Sequence, residues 1–330
     1  MLMRNPQAAW SVPALRLPSA PEIAAFRARG FVKLEGFLNA REVAQLRKAM
    51  DEALAAFSSS PNAFDVTATA DLLWQDKAHA SFAPPFLKNL ASAARRSKRL
   101  RERARPARRR GKFLIDTSIW RRNARLSEFA QHGPLGAAAA ALLGANEIRF
   151  FDDQLFVKEA GALDRAAFHQ DLSYCHLDAP LGCAAWIALD PVRRGSGAMG
   201  YVPGSHRWPG VYNPNMLAST LALPGSDGPD LPDIESNPEA FGVTYIDVEP
   251  GDVVFHHFLT VHGSEGNTSL NARRAFTLRY CDGEVRYRRR AGAPDQPLHP
   301  CGMKDGARLD NKVHPIVYRK LGLPPGSALR

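Results

Sequence analysis

Apolar residues fall at helical spacing from Pro21 to Phe26, the pattern stops at Gly30, and Phe31-Val32-Lys33-Leu34 then reads as a short strand before Gly36. Asn39 stands where an N-cap belongs, ahead of Val43, Leu46, Met50 and Leu54 on one face of a second helix. From Phe57 to Lys112 no period holds; the stretch is broken at Pro61 and Pro84-Pro85 and reads as an insertion. Pro134 to Leu143 predicts a further helix. Beyond Ile148 the rhythm changes to short apolar segments at 148–158, 183–189, 200–202, 243–248, 252–258 and 275–281, separated by Gly, Pro, Asn and Asp. That rhythm predicts an antiparallel sandwich or barrel rather than alternating βαβ units. The excursion from Pro209 to Pro238 is long enough to expect a lid or binding loop.

The chain therefore divides into a loose arm (1–20), a helical lead-in (21–147) with a basic insertion at about 57–112, an all-β core (148–290) and an extension (291–330) packed on that core. At 330 residues and 45% hydrophobic content it can bury a substantial core. The longest apolar run, Gly136 to Gly144, falls far short of the roughly 20 residues that span a bilayer, and residues 1–19 hold no continuous apolar stretch of secretory type. The expectation is a cytoplasmic protein with no membrane partner. Four cysteines without a C-x-x-C pair are expected to be reduced and structural.

The net charge of +10 is local. Eleven Lys or Arg residues lie between Arg95 and Lys112 against Glu102 alone, so this segment carries all of it and the remainder is neutral. Its first reading is a solvated loop, its second a surface for an acidic partner or substrate. No aromatic residue lies between Leu87 and Lys112 to stack on bases, which argues against nucleic acid.

The candidate chemistry is metal binding. Two neutral imidazoles and one carboxylate on one side of an Fe(II) ion leave three positions open for an organic co-substrate and O2. A His-x-Asp pair on extended chain supplies two such ligands, because residues i and i+2 point the same way. Two pairs qualify, His169-Gln170-Asp171 and His176-Leu177-Asp178. Three histidines compete for the distal place: His256 and His257, which cannot both face one centre, and His262. A guanidinium suits the far carboxylate of a keto-diacid, since it donates two parallel hydrogen bonds. Arg273 shares its strand face with the small Ala275 and Thr277, whereas Arg274 shares its own with Phe276, Leu278 and Tyr280.

The order Phe168 to Leu177, Trp186-Ile187-Ala188-Leu189-Asp190, Pro203-Gly204-Ser205-His206, Gly251-Asp252-Val253-Val254-Phe255 and His262-Gly263-Ser264 with Asn267 and Arg273 resembles the phytanoyl-CoA dioxygenase family. It covers about Glu147 to Tyr280, with a fainter echo over 21–55. The resemblance implies a double-stranded β-helix (a cupin-like jelly roll) with flanking helices, using Fe(II), 2-oxoglutarate and O2. It implies hydroxylation of an unactivated C–H bond in a small molecule of secondary-metabolite or acyl type, with release of succinate and CO2. Among the candidates it selects His169, Asp171 and His262 as ligands and Arg273 as the carboxylate anchor, with Gln170, Gln154, Trp186 and Ser264 around the co-substrate. It leaves His176 and Asp178 as supporting or surface groups, and His256 and His257 as packed or rim residues.

Asp171 argues against halogenation, which needs a small residue there; desaturation, cyclisation or epoxidation stay open as alternatives. A more distant alternative is a non-catalytic jelly roll working through its basic insert. The substrate is expected to be anionic or carrier-bound if the insert attracts it, and the protein a monomer or weak homo-oligomer. A lysine that some family members place on an earlier strand has no clear counterpart; Lys158 reads as a surface strand end and His206 as the close of a turn.

Overall fold

The structure is a computed structural model and describes residues 16–67, 111–178, 181–295, 303–309 and 312–320. Among the described residues four helices, α1 (Ala20–Arg29), α2 (Ala40–Ala55), α3 (Ala124–His132) and α4 (Leu135–Leu143), flank twelve strands. These are β1 (Phe31–Leu34), β2 (Phe64–Asp65), β3 (Phe113–Thr117), β4 (Glu147–Lys158), β5 (Ala166–His169), β6 (Gly182–Ala188), β7 (Met199–Tyr201), β8 (Thr244–Tyr245), β9 (Val253–His257), β10 (His262–Ser264), β11 (Arg273–Asp282) and β12 (Ile316–Arg319).

Two antiparallel sheets make the expected jelly roll. The larger runs β1-β9-β6-β11-β4-β3-β2, with β12 also on β4, and the smaller runs β5-β10-β7-β8. Alternation along the strands sends Ile187, Phe255, Phe276, Leu278 and Tyr280 to one face, where α1 to α4 cover them. The opposite face carries Trp186, Ala188, Val254 and Ala275, which pack on Met199 and Tyr201 of the smaller sheet. The site lies between these layers. Local signals are honoured at the helix starts: Ser19 and Asn39 each form a capping box, with Glu22 and Glu42.

β1 pairs with β9 and β3 pairs with β4, so strands of the lead-in belong to the main sheet. Within the stretch read as an insertion, β2 pairs with β3 at the edge of the sheet; most of the basic run falls outside the described residues, of which only Gly111 and Lys112 belong to it. Near the C-terminal end of the described residues, β12 pairs with β4. Among the described residues no helix is long and apolar enough to cross a membrane.

Register shifts once on β11, between Arg279 opposite Asp152 and Tyr280 opposite Phe150. The extra residue, Phe151, is a bulge that switches the parity of β4, so that Phe150 faces the helices while Asp152 faces inward. Inward across the β11–β4 pair the rows read Arg273–Lys158, Ala275–Phe156, Thr277–Gln154 and Arg279–Asp152.

Candidate metal centre

His169 ends β5 and pairs across with His262 at the start of β10, so two imidazoles stand side by side; Asp171 follows two residues on, where the chain turns into a short helical segment. One ligand atom from each of the three lies within 4.8 Å of the others, and all three side chains are buried. Each imidazole is aimed by the same device. The Nδ1–H of His169 donates to the Ala167 carbonyl at 2.7 Å and that of His262 to the Thr260 carbonyl at 2.9 Å. This fixes the tautomer that leaves the Nε2 lone pair free. Burial holds both pKa values down, so both rings are neutral, as metal donors must be.

Burial alone would raise the pKa of Asp171, but Arg279 and then His256 outweigh it and hold the carboxyl well below its usual range. Arg279 grips both oxygens, Nη2–H to Oδ1 at 2.8 Å and Nε–H to Oδ2 at 3.1 Å. His256 donates from Nε2 to Oδ2 at 3.2 Å, and Tyr201 donates to its Nδ1 at 3.3 Å. Two neutral imidazoles and one ionised carboxylate, each oriented by a hydrogen bond, fit a six-coordinate divalent ion with three positions left over.

The triad opens on a cavity of about 370 Å³. Gln154, Trp186, Ser264, Thr277 and Arg273 line it, as do Met216, Leu217 and Leu223 of the long excursion. Arg273 is 2% exposed. One Nη2–H donates to the Gly197 carbonyl at 2.9 Å, the guanidinium lies 5.4 Å from the Trp186 ring, and Nε–H has no partner among the described residues. Arg274 turns to the other face and is paired by Asp190.

Several residues sit elsewhere than the sequence suggested. Gln170, expected around the co-substrate, does not reach the cavity. It lies between two inward residues of an extended segment, so its side chain points away, donating to the Leu259 carbonyl and accepting from the Tyr212 N–H. Lys158 is no surface strand end. β3 covers β4 at Phe113 opposite Lys158, and the lysine is fully buried, with its Nζ–H donating to Ser264 Oγ at 2.9 Å. Burial, and next the charge of Arg273, push its pKa well down.

His256 faces the site, while its neighbour His257 faces α1 and His206. His206 holds the Arg27 carbonyl and does not line the cavity. His176 is buried under the C-terminal segment, where it accepts the Arg290 N–H, and Asp178 accepts the Arg286 N–H; neither joins the triad. The reading of the sequence missed Arg279 and Asp152 altogether. The signal for Arg279 was present, since it stands on the same strand face as Arg273.

The profile of the family described as phytanoyl-CoA dioxygenase matches residues 26–275. The chain belongs to that family. A probable phytanoyl-CoA dioxygenase of Caenorhabditis elegans is 29% identical over 122 residues, 37% of this chain and 38% of the relative. The peroxisomal phytanoyl-CoA dioxygenase of Homo sapiens is 27% identical over 124 residues, 37% of this chain and 35% of the relative. The matched stretch thus spans little more than a third of the curated phytanoyl-CoA dioxygenases. Among solved structures, the non-heme alpha ketoglutarate dependent epimerase SnoN from nogalamycin biosynthesis superposes with a TM-score of 0.62 at 21% identity, covering 92% of this chain and 98% of SnoN. EctD from S. alaskensis, solved with 2-oxoglutarate and 5-hydroxyectoine, gives 0.57 at 20% identity, covering 93% of this chain and 91% of EctD. These are likenesses of fold, and they carry the jelly roll across nearly the whole chain.

Proposed function

We propose that this member of the phytanoyl-CoA dioxygenase family is an Fe(II)- and 2-oxoglutarate-dependent oxygenase that hydroxylates an unactivated C–H bond of a small molecule. The observation that carries the reading is the triad itself: two tautomer-fixed neutral imidazoles and a clamped carboxylate converge on a cavity whose wall also holds a buried arginine with an unmade hydrogen bond. On this reading His169, Asp171 and His262 hold the metal. The bound iron with O2 supplies the oxidising chemistry, which converts 2-oxoglutarate to succinate and CO2.

The protein's own part is positioning. Backbone carbonyls of Ala167 and Thr260 keep the rings aimed, while Arg279 and His256 keep Asp171 ionised and oriented. Arg273 receives the far carboxylate of 2-oxoglutarate through its open Nε–H, with the Trp186 ring beneath the guanidinium and Ser264 and Lys158 alongside. Gln154 is tied to Arg279 at 2.9 Å and closes the wall between the two ends. The apolar walls exclude water around the reacting bond.

Purified protein given Fe(II), 2-oxoglutarate and O2 should form succinate, and His169→Ala should lose both succinate formation and tight Mn(II) binding. A His169→Ala protein that still turned over, or bound Mn(II) as tightly as the parent, would sink the assignment.

A further inference from the structure

The cavity holds chemistry that the triad and Arg273 do not use. Asp152 lines its wall and is held at one oxygen, where Arg279 Nη1–H donates to Oδ1 at 3.2 Å. Among the described residues nothing donates to Oδ2, and the side chain keeps 16% of its surface open. Asp171, on the other flank of the same guanidinium, has both oxygens engaged. Asp152 therefore offers the cavity an acceptor one guanidinium's width from the carboxylate of the triad. Alternation counted back along β4 from Lys158 points it inward, and the bulge at Phe151 then turns Phe150 to the helices.

Charge decides what can use that acceptor. Arg279 is one cation between two carboxylates, which leaves nothing for an anionic substrate. The other inward cations, Arg273 and Lys158, stand at the far end of the same rows, six residues along β11, or roughly 20 Å between Cα atoms. There they face the co-substrate. Much of the remaining wall is apolar, with Val66, Phe113, Ile115, Phe156, Met216 and Leu217, although Asn62, Ser118, Asn215, Asp295 and His314 also line it. Covering a carboxylate oxygen with a ligand that cannot donate to it leaves a desolvated, unmade hydrogen bond, and sites of that kind reject such ligands strongly.

We propose that Asp152 is a specificity-determining residue that anchors the substrate by a hydrogen-bond donor, a hydroxyl or a protonated amine, carried on an apolar body. The inference rests on the oxygenase reading of the site and replaces the anionic substrate that the basic insert suggested. Arg279 holds the anchor in place, so a single side chain aligns both the triad carboxylate, Asp171, and the anchoring carboxylate, Asp152.

The test uses the whole protein loaded with Zn(II) and 2-oxoglutarate, which cannot turn over. Ring-bearing apolar fragments are prepared in matched sets as alcohol, primary amine, methyl ether and carboxylate, and their affinities are ranked by ligand-observed NMR. Alcohols and amines should bind at least about tenfold tighter than the ethers and carboxylates of the same skeleton. Asp152→Asn keeps a neutral acceptor, so amines should lose tenfold or more and alcohols less; this separates the two donors. In Asp152→Leu the ranking should collapse.

Carboxylates binding as well as alcohols, a ranking that survives Asp152→Leu, or no binding by any donor-bearing fragment would each overturn the proposal. If Asp152→Leu does not fold, the parent and Asp152→Asn rankings still decide. Failure of the oxygenase reading shows separately, as absent Zn(II) affinity or absent succinate in the Fe(II) assay.

Discussion

Replacing Arg273 by methionine separates what its guanidinium costs the fold from what it contributes to co-substrate binding. Burial pulls its pKa from 12.5 down to about 10. That drop corresponds to roughly 3 kcal/mol between the charged and neutral forms. The folded value lies below the unfolded one, so the charged arginine disfavours the fold, and this penalty is present in full at every pH below about 10.

The bond to the Gly197 carbonyl and the Trp186 ring contact return about 1–2 kcal/mol of it. Arg273→Met should therefore raise the stability of the ligand-free protein by about 1–2 kcal/mol. Binding moves the other way. Two charge-assisted hydrogen bonds to a carboxylate are worth about 1.5–3 kcal/mol each, so 2-oxoglutarate affinity should fall by at least about a hundredfold.

Urea denaturation of the Mn(II)-loaded protein reads both effects. At a 2-oxoglutarate concentration about 100 times its Kd the parent should gain about 2.7 kcal/mol, and the variant almost nothing at the same concentration. A variant that unfolds more easily without 2-oxoglutarate yet gains the full increment with it would refute the reasoning.

Arg279→Leu should leave Asp171 and Asp152 facing each other without their shared cation and cost about 3–5 kcal/mol in denaturant unfolding; saturating Mn(II), which brings its own positive charge to Asp171, should restore part of the loss, and an equal loss with and without Mn(II) would count against the clamp. His257, pushed down to about 4 by burial, accepts the Leu259 N–H at Nδ1 and is neutral in the fold. The unfolded chain takes up its proton near pH 6.5, so stability is lost as pH falls through that value and the loss is complete below about 4. It should reach about 2 kcal/mol at pH 5. His257→Asn keeps an acceptor and cannot titrate, so its unfolding free energy should lose about that much less between pH 7 and pH 5; parallel pH profiles would exclude the assignment.

What could be read from the sequence follows from where alternation holds. Strands 148–158, 183–189 and 275–281 were legible because each is long and sends large apolar residues to one face, with boundaries one or two residues from those found. β5 and β10 were not read as strands. They are three or four residues long, and the positions that would have carried the pattern are occupied by the polar groups of the site: His169 on one, His262 and Ser264 on the other. β3 was hidden by the basic run that ends just before it. The candidate triad of His169, Asp171 and His262 was nonetheless singled out by the order of motifs around it, even where the strands that hold it leave no periodic trace.

The misplaced residues share one cause. Gln170 was grouped with its neighbours by motif, although strict alternation already turned it outward. Lys158 was taken as an end because nothing in one sequence says that β3, which follows the insertion and ends thirty residues before β4 begins, pairs with β4 and covers it. Arg279 obeys the rule that located Arg273, continued along β11 by three more inward positions. Asp152 obeys it too, counted back from Lys158 in twos. Phe150 does not: the same count would send it inward after Asp152, and the bulge at Phe151 turns it to the helices instead. Parity of that kind is a property of the paired sheet, since it depends on which residue of β11 stands opposite, and it leaves the inward run of β4 ending on a carboxylate rather than on a further apolar ring.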